Sequence, residues 1–306
     1  MDLYLPIAET SVNAPLLIAL GAAVGFISGL FGIGGGFLMT PVLVFMGIPP
    51  AVAVASLSNH VAASSFSSVT AYSRRRMVDF RMGGVLAGGG VVGAVLGVEA
   101  FRLLRLLGQA DLVVAVSYLL FLGVIGALML WESLGSILRS RRGEAAPPRR
   151  DRRPILLYAL PWKMRFPKSR LYISVIPPIL LGLFVGVLSA IMGVGGGFIL
   201  VPAMVYLLRM PANVVVGTSL FQIVITAGLT SVLQAGRTQT VDVVLATLLL
   251  VGGVLGAQLG AKASARFRAE ELRALLALIV LLVGLRMGLG LFIRPDDPFV
   301  IVAGLG

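Results

Sequence analysis

Three long stretches of this chain contain no charged residue. They are residues 14–46, 171–208 and 210–236, and each exceeds the ~18 apolar residues that suffice for a transmembrane helix. Charged residues make up 12% of the 306 residues, against about 25% in an ordinary soluble protein. The pattern predicts an integral membrane protein that crosses the bilayer several times.

The positive charge of the chain lies between these apolar runs. The net charge is +12, and the Lys and Arg residues cluster in short connecting segments, as is typical of the cytoplasmic loops of membrane proteins. We therefore expect contact with a lipid bilayer rather than with nucleic acid. The chain has no cysteine, which excludes disulfides and thiolate metal sites. The first fifteen residues contain no Lys or Arg, so we expect no cleaved signal peptide, and no motif predicts a cofactor.

One phrase occurs twice in the chain. GLFGIGGGFLMTPVL occupies residues 29–43, and AIMGVGGGFILVPAM occupies residues 190–204. Further on, MVDF at residues 77–80 parallels TVDV at residues 240–243, by which point the offset has grown from 161 to 163. Similarity at several separated places indicates an internal duplication.

The duplication divides the chain into three parts. We expect a first membrane repeat in residues 1–135, a basic cytoplasmic linker in residues 136–170, and a second membrane repeat in residues 171–306. Eleven of the 25 Lys and Arg residues lie in the predicted linker. Such a density of positive charge beside a Pro-Pro pair argues against a packed domain there.

The same charges predict how the repeats face the membrane. The positive-inside rule places the linker and the basic loop at residues 73–81 in the cytoplasm. It also places Lys262, Arg266 and Arg268 there, and the loop with Arg237 outside. With these loops on the predicted sides of the membrane, each half must make an odd number of full crossings. The second half then enters the membrane from the opposite side, so the sequence predicts inverted repeats. If each glycine-containing run crossed the membrane once, the halves would be parallel and Lys262 would lie outside.

The glycine-containing runs are too long for a single straight helix. Residues 14–46 would span ~50 Å as one helix, against a hydrocarbon core of ~30 Å. Three consecutive glycines interrupt the run, and glycine disfavours a continuous helix. We therefore expect an all-α polytopic membrane protein of two inverted repeats. Each repeat would contain a Gly-tipped broken or re-entrant hairpin and about three transmembrane helices, giving eight to ten membrane segments.

The tip of each predicted hairpin is suited to binding an anion. The helix that starts after the glycines exposes free N–H groups and the positive end of its dipole near the midplane of the bilayer. Two inverted repeats would bring two such tips to one site. The predicted binding residues at the tips are Gly34, Gly35, Gly36, Phe37, Gly195, Gly196, Gly197 and Phe198. Other glycines, four residues apart, predict close helix packing instead: Gly93 with Gly97, and Gly256 with Gly260.

The paired GxGGGF phrases, the two halves and the basic central linker resemble the sulfite exporter TauE/SafE family. The resemblance covers nearly the whole chain outside the linker. It extends to GTSLFQ at residues 217–222, whereas the first half reads ASLSNH at residues 55–60. The resemblance implies transport of sulfur-containing anions, such as sulfite, thiosulfate or organosulfonates, across a bacterial-type cytoplasmic membrane.

Polar side chains that follow each hairpin extend the candidate site. Their hydroxyl, amide and imidazole groups are neutral donors for sulfonate oxygens, and hydrogen bonds between helices are the alternative role. They are Ser56, Asn59, His60, Thr218, Ser219 and Gln222. One alignment of the halves places Ser56 on Thr218 and therefore His60 on Gln222. The other alignment places Ser58 on Ser219.

His60 is the only histidine of the chain. Within the membrane it would either carry a coupling proton or be a neutral imidazole bonded to a neighbouring helix.

The sequence predicts a secondary transporter that works by alternating access, rather than an enzyme. An uncoupled anion channel and a carrier of a non-sulfur organic anion are the alternatives from the same site. An intramembrane enzyme or a receptor-like binding protein is a third reading, against which the sequence offers no catalytic pair. The oligomeric state is open, with a homodimer among the options.

Overall fold

The computed structural model describes residues 2–7, 10–141, 160–238, 241–264, 275 and 278–286. Nine helices have defined bounds within these ranges: α1 Ala14–Phe31, α2 Gly36–Phe45, α3 Pro50–Arg74, α4 Phe80–Leu106, α5 Ala110–Arg141, α6 Ile176–Met192, α7 Gly197–Tyr206, α8 Ala212–Arg237 and α9 Val243–Ala263. Residues 278–286 are also helical. The four strands are β1 Asp2–Leu5, β2 Thr10–Asn13, β3 Lys163–Phe166 and β4 Leu171–Ser174.

The two halves repeat one order of elements. Each begins with a two-stranded antiparallel hairpin, β1–β2 or β3–β4, and continues with a helix, a glycine turn, a ten-residue helix and two long helices. In the described part of the chain, five helices are long and apolar enough to cross a membrane by length and composition. The prediction of an all-α polytopic membrane protein is confirmed. The hairpin β3–β4 begins inside the segment that the sequence assigns to the linker.

Glycines join the halves by close helix packing. A Cβ atom on Gly93 or Gly97 of α4 would collide with backbone of α6. A Cβ atom on Gly256 or Gly260 of α9 would likewise collide with backbone of α1. The packing role predicted for these four glycines is confirmed. The helix α1 thus packs against α9 of the other half, and α6 packs against α4 of the other half, which makes the two halves one unit.

The helices α3 and α8 cross at the centre and run in opposite directions. Ser58, near the start of α3, donates to Gln234 near the end of α8 at 3.4 Å. Thr218, near the start of α8, accepts a hydrogen bond from the backbone of Asp79, which follows the end of α3. Several hydroxyls of α3 bond to backbone carbonyls, and Ser67, for example, donates to Val254 of α9. The low hydropathy of α3 is therefore offset by hydrogen bonds inside the protein.

Charged residues gather at opposite ends of the bundle. Arg75, after α3, donates to the carbonyl of Ala261 near the end of α9 at 3.2 Å. Glu99, late in α4, pairs with Arg237 at the end of α8 at 2.8 Å. The end of α9 therefore lies beside the basic loop at residues 73–81, and the end of α8 lies at the other end of the bundle.

Two buried aspartates anchor the hairpins. Asp79 caps the start of α4, and its Oδ2 accepts bonds from the backbone N–H and the hydroxyl of Ser169, in the turn between β3 and β4. Asp242 caps the start of α9, and its Oδ2 accepts from the N–H of Ile7, in the turn between β1 and β2. Each hairpin is thus fastened to the opposite half of the chain.

Candidate functional site

Both repeated phrases form the same backbone turn. The φ angles are +86° at Gly34, +68° at Gly35, +76° at Gly195 and +75° at Gly196. These values lie in the left-handed region that only glycine adopts at little cost. Gly35 and Gly196 are the N-caps of α2 and α7, and neither helix has a side-chain cap. The repeated glycines therefore end one helix and start the next within four residues.

The two short helices begin with free amide groups. The N–H of Gly36 bonds back to the carbonyl of Gly34 at 2.8 Å. Within the described residues, no backbone carbonyl accepts the N–H of Gly35 or of Phe37, and the same holds for Gly196 and Phe198. Buried N–H groups are nearly always paired in proteins, so these amides are available to an acceptor that the described residues do not supply.

The two turns lie directly against each other. A Cβ atom on Gly36 would collide with the carbonyl of Gly193, and one on Gly197 would collide with that of Ile33. The rings of Phe37 and Phe198 are stacked, with centroids 6.2 Å apart and planes at 24°. The structure therefore brings together all eight residues predicted at the tips, and all eight are buried.

Val61 of α3 and Ile223 of α8 form the surface on which the turns rest. A Cβ atom added to Gly34 would lie 3.3 Å from Val61 and 3.4 Å from Ile223. Gly195 lies against the same two side chains. Both side chains are fully buried. The turns therefore meet where α3 and α8 cross.

The polar residues predicted after the hairpins bond mainly to the opposite half. Ser56 accepts from the N–H of Asp242 at 2.8 Å, just as Thr218 accepts from the N–H of Asp79 at 3.0 Å. This reciprocity places Ser56 on Thr218 and decides between the two alignments. Ser219 lies 2.9 Å from the carbonyl of Gly32, at the first turn.

His60 and Gln222 occupy equivalent places. The Nδ1 of His60 lies 2.8 Å from the carbonyl of Leu249, and its ring packs on Gly253 of α9. Gln222 packs on Gly90 of α4 and donates to Thr226 of its own helix. Each side chain thus faces a glycine of the opposite half.

Asn59 accepts a hydrogen bond from Ser231 of α8. Of the six predicted polar side chains, Ser219 is the one with a hydrogen bond to a turn. The others are bonded elsewhere in this conformation.

Some polar side chains beside the turns were not predicted as site residues. The hydroxyl of Tyr118, from α5, donates to the carbonyl of Met192 at 2.9 Å, and Thr40 of α2 lies 3.5 Å from the same oxygen. Ser28 packs beside Gly35, and its buried hydroxyl has no partner in the described part of the chain. The repeat does contain a signal for Ser28, because Ser189 stands at the equivalent place beside Gly196. Tyr118 lies outside every repeated phrase, so the repeat could not indicate it.

Comparison with known proteins identifies the family. The model of the sulfite exporter TauE/SafE family matches residues 17–287, which includes both glycine turns. This chain belongs to the sulfite exporter TauE/SafE family. The family resemblance predicted from the motifs is confirmed.

Two probable membrane transporter proteins match most of the TauE/SafE chain. A probable membrane transporter protein of Xylella fastidiosa (strain 9a5c) is 30% identical over 278 residues, covering 88% of this chain and 92% of its own. The probable membrane transporter protein YjnA of Bacillus subtilis (strain 168) is 28% identical over 271 residues, covering 89% of this chain and 98% of its own. Sulfite exporter TauE/SafE family protein 3 of Arabidopsis thaliana is 29% identical over 123 residues, or 39% of this chain and 26% of its own. No solved structure matches the chain.

These findings establish the general class of the protein. The family and the relatives indicate an integral membrane protein of the transporter class, not an enzyme. The apolar helices fit a lipid bilayer.

Proposed function

We propose that this protein is a secondary transporter that moves a small sulfur-containing anion across the cytoplasmic membrane. Sulfite, thiosulfate and organosulfonates are the candidate substrates, in keeping with the name of the family. The anion would be held near the midplane of the bilayer by the two glycine turns. Transport would proceed by alternating access.

The observation that carries this proposal is the meeting of the two turns. Gly35 and Gly196 each start a helix, and among the described residues no backbone carbonyl accepts the N–H of Gly35, Phe37, Gly196 or Phe198. The two turns touch at the crossing of α3 and α8. Two helix N-termini at one place concentrate positive potential without Lys or Arg. In a bilayer only protein, water or a ligand can satisfy such groups, so an oxyanion is a fitting occupant.

Alternating access requires two halves that can exchange roles. We propose inverted repeats, because equivalent helices such as α3 and α8 run in opposite directions. The proximity of Arg75 to Ala261 favours this arrangement over parallel halves, since it puts the Lys262 end of α9 beside the basic loop. The tight contact of Phe37 with Phe198 is then the closed contact that must loosen for the anion to pass.

The polar residues take supporting parts in this proposal. Ser219 is in reach of the first turn, and Ser28 offers a buried hydroxyl beside it. Ser56, Asn59 and Thr218 would contact the anion only if the helices move, because their present partners are protein groups. Gln222 donates to Thr226, and its buried Oε1 has no partner among the described residues. In this proposal His60 is a neutral imidazole bonded to the carbonyl of Leu249, and a proton-coupling role is the alternative that the His60→Gln variant tests.

The decisive experiment is anion flux into liposomes that contain the purified protein. Uptake against an anion gradient, driven by a pH gradient, supports a coupled carrier. Flux only down the gradient supports the channel alternative, and no flux for any anion rules out both. A binding panel of sulfite, thiosulfate, sulfoacetate, taurine and sulfate, with acetate as a sulfur-free control, identifies the substrate class. Tighter binding of acetate than of every sulfur anion would favour the non-sulfur alternative.

A further inference from the structure

A groove opens on the outer surface of the bundle between α3, the start of α4 and α8. Its volume is about 450 Å³. It is lined by Phe66, Val69, Thr70, Ser73, Arg74, Phe80, Phe221 and Val224. None of these residues belongs to the glycine turns. We propose that this groove binds one anionic phospholipid of the cytoplasmic leaflet.

The lining changes from charged to apolar along the groove. Arg74 lies at the end of α3, and Phe66 lies two turns earlier, about 12 Å towards the middle of the bundle. Phe221 and Val224 of α8 line the apolar part. A phospholipid has the same order, with a phosphate at the membrane surface and acyl chains directed inward. The groove therefore matches a lipid in both chemistry and direction.

Two cations stand at the surface end. Arg74 is exposed, and within the described residues no acidic side chain pairs with it. Lys168, from the turn of the β3–β4 hairpin, has its Nζ 5.7 Å from the centre of the Phe80 ring. The carboxylate of Asp79, the neighbour of Phe80, is buried and already accepts four hydrogen bonds. A phosphate at this end would meet positive charge.

The aromatic wall of the groove is held in place. The ring of Phe80 packs edge-on against that of Phe221, with centroids 5.2 Å apart and planes at 88°. Phe66 is 61% exposed and Phe80 is 49% exposed, so an acyl chain in the groove would cover substantial apolar surface.

The charged and aromatic residues that the first half contributes to the groove have no counterparts in the second half. The residues of the second half that correspond to Phe66, Arg74 and Phe80 are Gly228, Gly236 and Val243. A site needed for alternating access would be expected in both halves, whereas a lipid site can occur in one. The asymmetry favours a lipid over the transported anion.

The test is native mass spectrometry of the full chain in detergent, with phosphatidylglycerol and phosphatidylcholine of identical acyl chains. Wild-type protein should bind one molecule of phosphatidylglycerol at a lower lipid concentration than it needs to bind one molecule of phosphatidylcholine. Arg74→Gln should weaken phosphatidylglycerol binding about fivefold and leave phosphatidylcholine unchanged, because one cation near a membrane surface contributes about 1 kcal/mol. Arg76→Gln, a neighbouring arginine outside the groove, is the matched control and should bind as wild type does.

A second variant tests the apolar part. Thr70→Trp places a large ring in the groove from an exposed position and should weaken the binding of both lipids, whereas Val232→Trp, on an exposed face of α8, should not. Equal binding of the two lipids by wild type, or an Arg74→Gln protein that binds phosphatidylglycerol normally, would overturn the proposal. Loss of a chain dimer in the Thr70→Trp protein, with lipid binding unchanged, would instead assign the groove to a second copy of the chain.

Discussion

The backbone N–H of Asp79 donates to the hydroxyl of Thr218 at 3.0 Å, although the two residues belong to different halves of the chain. The reciprocal bond, from Asp242 to Ser56, measures 2.8 Å. Both bonds are buried, and each lies where a long helix of one half meets the loop before a helix of the other. The two contacts fasten the halves together at opposite ends of the bundle.

Thr218→Val is expected to destabilise the protein more than it weakens substrate binding. The change keeps the volume but leaves the N–H of Asp79 buried without an acceptor, at a cost of about 1–3 kcal/mol. Thermal unfolding in detergent should show a lower midpoint for this variant, with anion affinity within a few fold of wild type. Ser56→Ala is the matched variant at the equivalent contact and should behave alike. A well-folded Thr218→Val protein that loses most of its affinity would place Thr218 in the binding site instead.

A negative charge at a glycine turn should abolish anion transport. Gly35→Asp would put a carboxylate beside Ser28 and Val24, at the N-cap of α2, and repel the substrate. Gly196→Asp would do so at the second turn. Both positions have positive φ, so part of any loss will be strain. Gly35→Asn has the same shape, no charge and some tolerance of positive φ, and is therefore the control. Flux in liposomes should be lower for Asp than for Asn.

Gly47 provides a second control, because it also has positive φ but open space around it. Gly47→Asp should retain transport. Equal flux in the Asp and Asn variants at position 35 would mean that charge at the turn is unimportant.

His60→Gln should fold normally and continue to exchange anions. Gln222 already fills the equivalent place against Gly90, and an amide can donate to the carbonyl of Leu249 as the imidazole does. We expect uptake driven by a pH gradient to persist, because the imidazole is fully buried and bonded to backbone. Normal downhill exchange together with loss of pH-driven accumulation would show that His60 carries the coupling proton.

Single-cysteine labelling can establish the direction of the halves, since the chain has no cysteine of its own. Cysteines at Arg76 and Lys262 should react only from the cytoplasmic side, and a cysteine at Arg237 only from outside. The predicted linker near Arg149 and position 268 should also be cytoplasmic and the PDDPF segment outside, although these lie outside the described residues. Labelling of position 262 from outside would contradict inverted repeats.

Gly256→Val should prevent stable assembly. Its side chain would collide with the carbonyl of Ala22, at the contact between α1 and α9. Overpacking of this kind typically costs 1–3 kcal/mol or more. Gly88→Val changes a helical glycine with open space around it and should express normally. Yield of folded protein on size-exclusion chromatography compares the two, and equal yields would contradict the packing role.

The repeat made the glycine turns predictable from the sequence. A three-glycine interruption that occurs twice in apolar runs has few structural explanations, and both turns have the left-handed backbone that glycine permits. The partners of Ser56 and Thr218 were not predictable, because a hydroxyl in a helix gives no sign of which distant backbone group it will meet. The contact of Tyr118 was not predictable for the same reason. Its role depends on the position of Met192, more than seventy residues away.

The length of α3 is sufficient to predict a membrane-spanning helix from the sequence, but its hydropathy is too low to do so. Its serines lower its mean hydropathy, and Ser58, Ser67 and Ser68 bond to groups of α8 or α9. Local pattern thus predicts which segments are helices, whereas the choice of neighbours depends on contacts across the repeat.

The packing of α1 on α9 means that the order of synthesis differs from the order of assembly. Ribosomes release α1 and α3 into the membrane long before the glycines of α9 exist. Until then Ser67 and Ser68 lack the carbonyls of α9 to which they will donate, and α1 lacks the backbone against which it will pack. The first half made alone is therefore an incomplete product, and a nonsense mutation before α9 would remove support from the start of the chain as well as from its end.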